Sequence, residues 1–136
     1  MNEPSEYIDI SVRAFSAVAS SSVVSKLLKL DATSQFEKGE IRQVLKSGQV
    51  LRHQRSGWLY RKNFPISETY LSYQIVFILQ SLGLTEEIAE ALRKDGFDLD
   101  VYVGVFNAPE CWGFELNTEH LSLFSRLVGR VSFSFY

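Results

Sequence analysis

Hydrophobic and polar residues alternate along three stretches of the chain, which is the pattern of a β-strand with one buried face. Residues 7–15 place Ile8 and Ile10 on one side, residues 98–106 carry valines at every second position, and residues 130–136 alternate again. The intervening positions are mostly polar or aromatic. Each of these strands is therefore predicted to bury one face and to leave the other accessible.

Apolar residues at helical spacing predict four helices. The first follows the serines at positions 20–22, and the second follows Ser67 and ends at Gly83. The third is predicted to begin after Thr85, with acidic residues in its first turn and basic residues in its last, where the helix dipole favours them. The fourth follows Asn117 and Thr118, which have the polar side chains of an N-cap.

Two hairpins complete the predicted elements. Residues 49–54 and 57–63 are expected to pair around Arg55-Ser56-Gly57, and a short helix is expected around residues 41–45. Residues 98–106 and 111–117 are expected to pair across the loop 107–110. Register is chosen so that apolar residues share a face and Glu115 does not lie among valines. In that register Trp112, Phe114 and Leu116 lie on the face of Val101, Val103 and Val105.

The predicted order is β-α-β-β-α-α-β-β-α-β, in a single domain over residues 1–136. Interleaved strands and helices, with one apolar face on each well-defined strand, indicate an α+β fold. We expect a single mixed or mostly antiparallel sheet with helices packed on one face. The other face is expected to be open or partly covered. It would carry Tyr7, Asp9, Ser11, Arg13, Asp100, Tyr102, Glu115, Ser132, Ser134 and Tyr136.

Composition agrees with one globular domain, because 46% of the 136 residues are hydrophobic and 22% are charged. The net charge of −2 disfavours a strongly basic nucleic-acid binder and hides a segregation of charge. Residues 38–62 contain seven Lys or Arg and one Glu, whereas residues 63–136 contain four Lys or Arg and ten Asp or Glu. Two regions of opposite charge are therefore candidates for binding partners.

The compartment is predicted to be the cytoplasm. A single cysteine, Cys111, excludes a disulfide within the chain. The first residues lack the basic and apolar segments of a secretory signal, and no apolar run approaches the roughly 20 residues that a membrane helix needs.

No catalytic motif stands out, so the protein is predicted not to be an enzyme and to use no metal or cofactor. Cys111 and His120 have no third group to orient them, and His53 lies among arginines that repel a cation. Asp98 and Asp100 share one side of a strand, where weak cation binding is less expected than simple solvation.

Several segments resemble a small bacterial family, domain of unknown function 4279. They are the strand Tyr7-Ile8-Asp9-Ile10-Ser11-Val12, the turn Glu37-Lys38-Gly39-Glu40, the triplet Ser56-Gly57-Trp58 and the closing stretch from Trp112 through Gly129 to Tyr136. The resemblance implies no catalytic residues. Small single-domain bacterial proteins of this kind are often immunity partners of secreted or contact-delivered toxins, and the resemblance implies such a role by class.

Two main hypotheses follow. The first is a non-enzymatic immunity protein that binds and neutralises a cognate protein toxin, for instance a nuclease delivered by contact-dependent inhibition. Its partner-binding residues would be Asp98, Asp100, Tyr102, Glu110, Glu115 and Tyr136. The alternative is a nucleic-acid-binding or regulatory domain that uses Arg52, Arg55, Trp58, Tyr60, Arg61 and Lys62. A small-molecule pocket on the open face is a third and weaker hypothesis, and the oligomeric state is left open.

Overall fold

The computed structural model describes residues 6–66 and 70–136 and confirms the α+β fold. The predicted cap Ser67 lies outside the described residues. The described elements, in chain order, are β1 (Tyr7–Ser16), α1 (Ser22–Leu28), β2 (Ser34–Phe36), β3 (Ile41–Val44), β4 (Val50–Arg52), β5 (Ser56–Pro65), α2 (Leu71–Ser81), α3 (Glu86–Lys94), β6 (Phe97–Phe106), α4 (Thr118–Leu127) and β7 (Arg130–Phe135).

The main sheet is mixed, as expected, and has five strands in the order β2-β5-β1-β6-β7. β1 lies at its centre, antiparallel to both β5 and β6 along its whole length. β7 runs parallel to β6, and the helix α4 makes the crossover that parallel neighbours require. β3 and β4 form a separate two-stranded sheet.

The hydrophobic core lies between this sheet and the helices. Ile8 and Ile10 of β1 and the alternate valines of β6 are completely buried there, together with Ile75 and Ile78 of α2. The alternation of these strands therefore predicted correctly which sheet face is covered. Within the described ranges, no helix has the length and apolarity of a membrane span.

The predicted hairpin of residues 49–54 and 57–63 is wrong. β5 pairs with β1 over ten residues, while β4 pairs with β3, so the chain leaves the small sheet after Arg52 and enters the main sheet at Ser56. Residues 41–44 are a strand and not the expected helix. In its observed position, β5 pairs with a central strand over ten residues and buries Trp58 in the core. A local hairpin around Ser56 would provide neither the long pairing nor the burial of Trp58.

The predicted hairpin of residues 98–106 and 111–117 is also wrong. Residues 111–117 form no strand, and β7 takes the position beside β6. The segment 107–117 packs against the helix-covered side of β7, where the rings of Phe114 and Phe133 are 5.0 Å apart. The apolar side chains of this segment therefore find their burial through side-chain packing and need no strand pairing.

Candidate functional site

The sheet face opposite the helices is called the open face below. Strand register places alternate residues of β5, β1, β6 and β7 on it, while the described helices pack on the other face. Its members are Leu59, Arg61, Asn63, Tyr7, Asp9, Ser11, Arg13, Phe15, Asp98, Asp100, Tyr102, Phe106, Arg130, Ser132, Ser134 and Tyr136.

Three aromatic rings stack in a row across one end of the open face. The centroids of Tyr7 and Phe106 are 4.6 Å apart with the ring planes within 10°, and Phe106 and Tyr136 repeat this spacing at 11°. Gly104 leaves room for them, since a Cβ at this position would lie 3.0 Å from the Phe106 ring. Tyr136 is 64% exposed, so this ring row ends in accessible aromatic surface.

A partly buried ion pair lies near the centre of the same face. The Arg13 guanidinium donates two hydrogen bonds to Asp100, at 2.7 Å to Oδ1 and 2.8 Å to Oδ2. Arg130 approaches Oδ2 at 3.5 Å from the far side. The Asp100 side chain is only 7% exposed. Its negative charge is therefore compensated by these arginines within the protein. The Arg13 guanidinium also lies over the Tyr102 ring, 4.9 Å from its centroid.

Asp9 lies between the ring row and the ion pair, and its partly buried carboxylate has few favourable contacts. Its Oδ2 is 3.4 Å from Nε of Arg61, while its Oδ1 is buried without a hydrogen-bond partner. Burial raises the pKa of Asp9, and the positive charge of Arg61 offsets only part of that rise.

The hydroxyls of Tyr102 and Tyr136 are 2.7 Å apart and join β6 to β7 through their side chains. Hydrogen bonds with Ser134 and with Tyr136 lower the pKa of Tyr102, while the hydrogen bond to Tyr102 raises the pKa of Tyr136. The two phenols are therefore inequivalent.

The six residues predicted to bind a partner do not form one surface. Tyr102 and Tyr136 lie on the open face, as expected, and so does Asp100, although the arginines already pair its carboxylate. Asp98 lies at the end of β6, where it is 85% exposed and 3.4 Å from Arg55. Glu110 and Glu115 lie in the segment 107–117. Because that segment is not a strand, Glu115 is absent from the open face and lines a cleft with residues 70–73 on the helix side.

The alternative set for nucleic acids is also divided. Trp58 is 1% exposed and its indole donates to Ser25 at 2.9 Å, so this ring is unavailable to a base. Tyr60 lies beside Trp58 on the helix-covered side, and Arg61 points to the opposite face of the same strand. Lys62 follows Tyr60 on that covered side and reaches the ring of Phe77. Arg52 lies apart from these residues in β4 of the small sheet, and Arg55 lies over the ring of Phe15 at the end of β1.

Sequence reasoning missed the roles of Tyr7, Phe106, Asp9 and Arg61. The alternation of β1 placed Tyr7 and Asp9 on the correct face but gave no neighbours for them. Phe106 is absent from the residues expected on the open face.

His120 pairs with serine and not with Cys111. Its Nδ1 is 2.7 Å from Oγ of Ser72, which also accepts the backbone N–H of Asn117 at 3.2 Å. This contact ties the first turn of α2 to the start of α4. Within residues 6–66 and 70–136, no group of three His, Cys, Asp or Glu side chains is placed to hold a metal ion.

Comparison of the chain with models of known protein families, with curated proteins and with solved structures gives no match. The resemblance to domain of unknown function 4279 therefore stays a prediction.

Proposed function

We propose that the protein is a cytoplasmic, non-enzymatic immunity protein that neutralises a cognate toxin by binding it through the open face. The observation that carries this proposal is the ring row of Tyr7, Phe106 and Tyr136, which ends at an exposed tyrosine on the sheet face that also carries Arg61 and Arg130. Aromatic side chains and arginine are the residue types enriched at protein–protein interfaces.

The packing of the face favours recognition with little ordering on binding. Each ring of the row is held by its neighbour, and both phenol hydroxyls of Tyr102 and Tyr136 are hydrogen-bonded. Side chains that are already fixed lose less conformational entropy when a partner binds. Rigid aromatic contact area of this kind serves the centre of an interface.

The open face carries two well exposed arginines, which lie further along the strands than the ring row. Arg130 is 71% and Arg61 is 52% exposed, whereas the carboxylates of Asp100 and Asp9 are largely buried. We therefore infer a partner with an apolar or aromatic patch bordered by carboxylates. This differs from an acidic mimic that fills a basic nuclease site, since Asp98, the well exposed aspartate of this face, lies 3.4 Å from Arg55.

The choice of a toxin as the partner rests on the family resemblance, because small bacterial proteins of this type often serve as immunity partners. The test is co-expression with the product of the gene immediately upstream. We expect the two proteins to purify as a complex, and we expect cells that express this protein to survive the toxin. No complex and no protection would refute the proposal.

Charge reversal separates the open face from other surfaces. Arg130→Glu should slow association with that partner and reduce its salt dependence, because exposed charges act mainly on the encounter rate. Arg126→Glu is the matched control, since Arg126 is a comparably exposed arginine on α4, outside the open face. Equal effects of the two variants would contradict binding at the open face.

A further inference from the structure

A groove separates the small sheet from the end of the main sheet. Its volume is about 690 Å³, within the range of small-molecule sites. The rings of Phe15, Phe36 and His53 line it, with the guanidinium-bearing side chains of Arg42, Arg52 and Arg55. The groove borders the open face at Phe15, but the ring row lies at the opposite end of β1, and Arg42, Arg52 and His53 belong to the small sheet or follow it directly.

The lining of the groove contains three arginines and no carboxylate. Arg52 is fixed by a hydrogen bond of 2.8 Å from Nη1 to the carbonyl of Gly39, which leaves its other donors free to bind. One of the three, Arg55, is paired outside the groove, since Oδ2 of Asp98 lies 3.4 Å from its Nη1. Guanidinium groups bind phosphate with paired N–H donors, so this lining favours a phosphorylated ligand.

The rings are fixed before any ligand binds. Phe36 and His53 stack with centroids 3.7 Å apart, and Phe15 follows at 6.4 Å from Phe36. A Cβ at position 57 would overlap the Phe36 ring, so Gly57 is the residue that lets this ring lie against β5. The result is a preformed aromatic wall within reach of the arginines.

We propose that this groove binds a phosphorylated nucleoside unit, with the phosphate on Arg42 and Arg52 and the base against the ring of His53. A nucleotide would use both the rings and the arginines, because its base needs a flat ring surface and its phosphate needs a cation. An acidic peptide would use the arginines and leave the rings without a flat partner. A free nucleotide and a single strand share this chemistry.

The test is an NMR titration of the isotopically labelled protein at low salt with inorganic phosphate, adenosine monophosphate and a short single-stranded oligothymidylate. The backbone signals of residues 36, 53 and 55 should shift with adenosine monophosphate or with the oligonucleotide. Base stacking should make the better of these two bind about tenfold more tightly than inorganic phosphate. A steep salt dependence for the oligonucleotide alone would identify the polymer as the source.

Matched variants test the assigned residues. Arg52→Gln should weaken binding about tenfold, whereas Arg126→Gln on α4 should leave it unchanged; thermal unfolding of both variants should match that of the wild type. The proposal would be overturned if inorganic phosphate bound as tightly as both other probes, or if an acidic peptide competed as well as the oligonucleotide. Equal losses of binding in the two variants would overturn it as well. Toxin binding by Arg52→Gln should be normal, so the groove and the open face can fail independently.

Discussion

The two faces of the central strands are held by different kinds of interaction. On the covered face, Ile8 and Ile10 of β1 are fully buried against helices, and their contribution comes from apolar area removed from water. On the open face, Arg13 and Asp100 are joined by defined hydrogen bonds, while one carboxylate oxygen of Asp9 is buried without a hydrogen-bond partner. Substitutions on the first face should therefore act through volume, and on the second through pairing and charge.

The largest effect is expected on the covered face. Ile10→Ala should lower the free energy of unfolding by about 3–4 kcal/mol, because it removes a fully buried side chain and leaves a cavity. Urea denaturation measures this loss. Val18→Ala is the control, since Val18 is 84% exposed and its substitution should change stability by less than about 0.5 kcal/mol. A loss below about 1 kcal/mol for Ile10→Ala would contradict the core assignment.

The ion pair should give the next effect. Asp100→Ala leaves the Arg13 guanidinium without its carboxylate, and we expect a loss of about 2 kcal/mol, below the range for fully buried pairs because Arg13 remains 24% exposed. Adding Arg13→Met in a double-mutant cycle should recover part of this loss, since the uncompensated charge is then gone. Additive losses for the two single variants would contradict a direct pairing.

Substitution of Asp9 should change stability in the opposite direction. Its pKa is raised in the folded protein, mainly by burial, so the folded state favours the protonated form. The stability that this group contributes is present below its unfolded pKa and is lost as the pH rises through its folded pKa.

Asp9→Asn should therefore stabilise the protein by about 1 kcal/mol near pH 7 and make little difference at pH 3. Urea denaturation across this pH range gives the comparison. Lower stability of Asp9→Asn at pH 7 would mean that the contact with Arg61 outweighs burial.

The sequence predicted which face of each strand is covered, but not which strands lie next to each other. Alternation identified β1, β6 and β7 and which side of each is covered, since the period of two is a local property. Pairing between distant strands is not local. The expected partner of β6 was the nearby segment 111–117, yet β7 lies there instead, across a helix.

The candidate sites show the same limit. Tyr102 and Tyr136 were predicted from their strand positions, but the ring row and the pairing of Asp100 with Arg13 depend on which strands are adjacent. The groove depends on Phe36 and His53, which belong to short strands or loops with no periodic signal. Charge counting found the basic residues 38–62, and only the fold separates Arg52 and Arg55 from Trp58 and Tyr60.

The most direct test of the open face is the affinity for the product of the upstream gene, measured by calorimetry with two tyrosine variants. Tyr136→Ala removes the exposed end of the ring row and should weaken the complex at least about tenfold, as expected for an aromatic residue at an interface centre. Tyr70→Ala removes a similarly exposed tyrosine on the helix side and should leave the affinity unchanged. Unchanged affinity for Tyr136→Ala, or an equal loss for Tyr70→Ala, would contradict recognition through the open face.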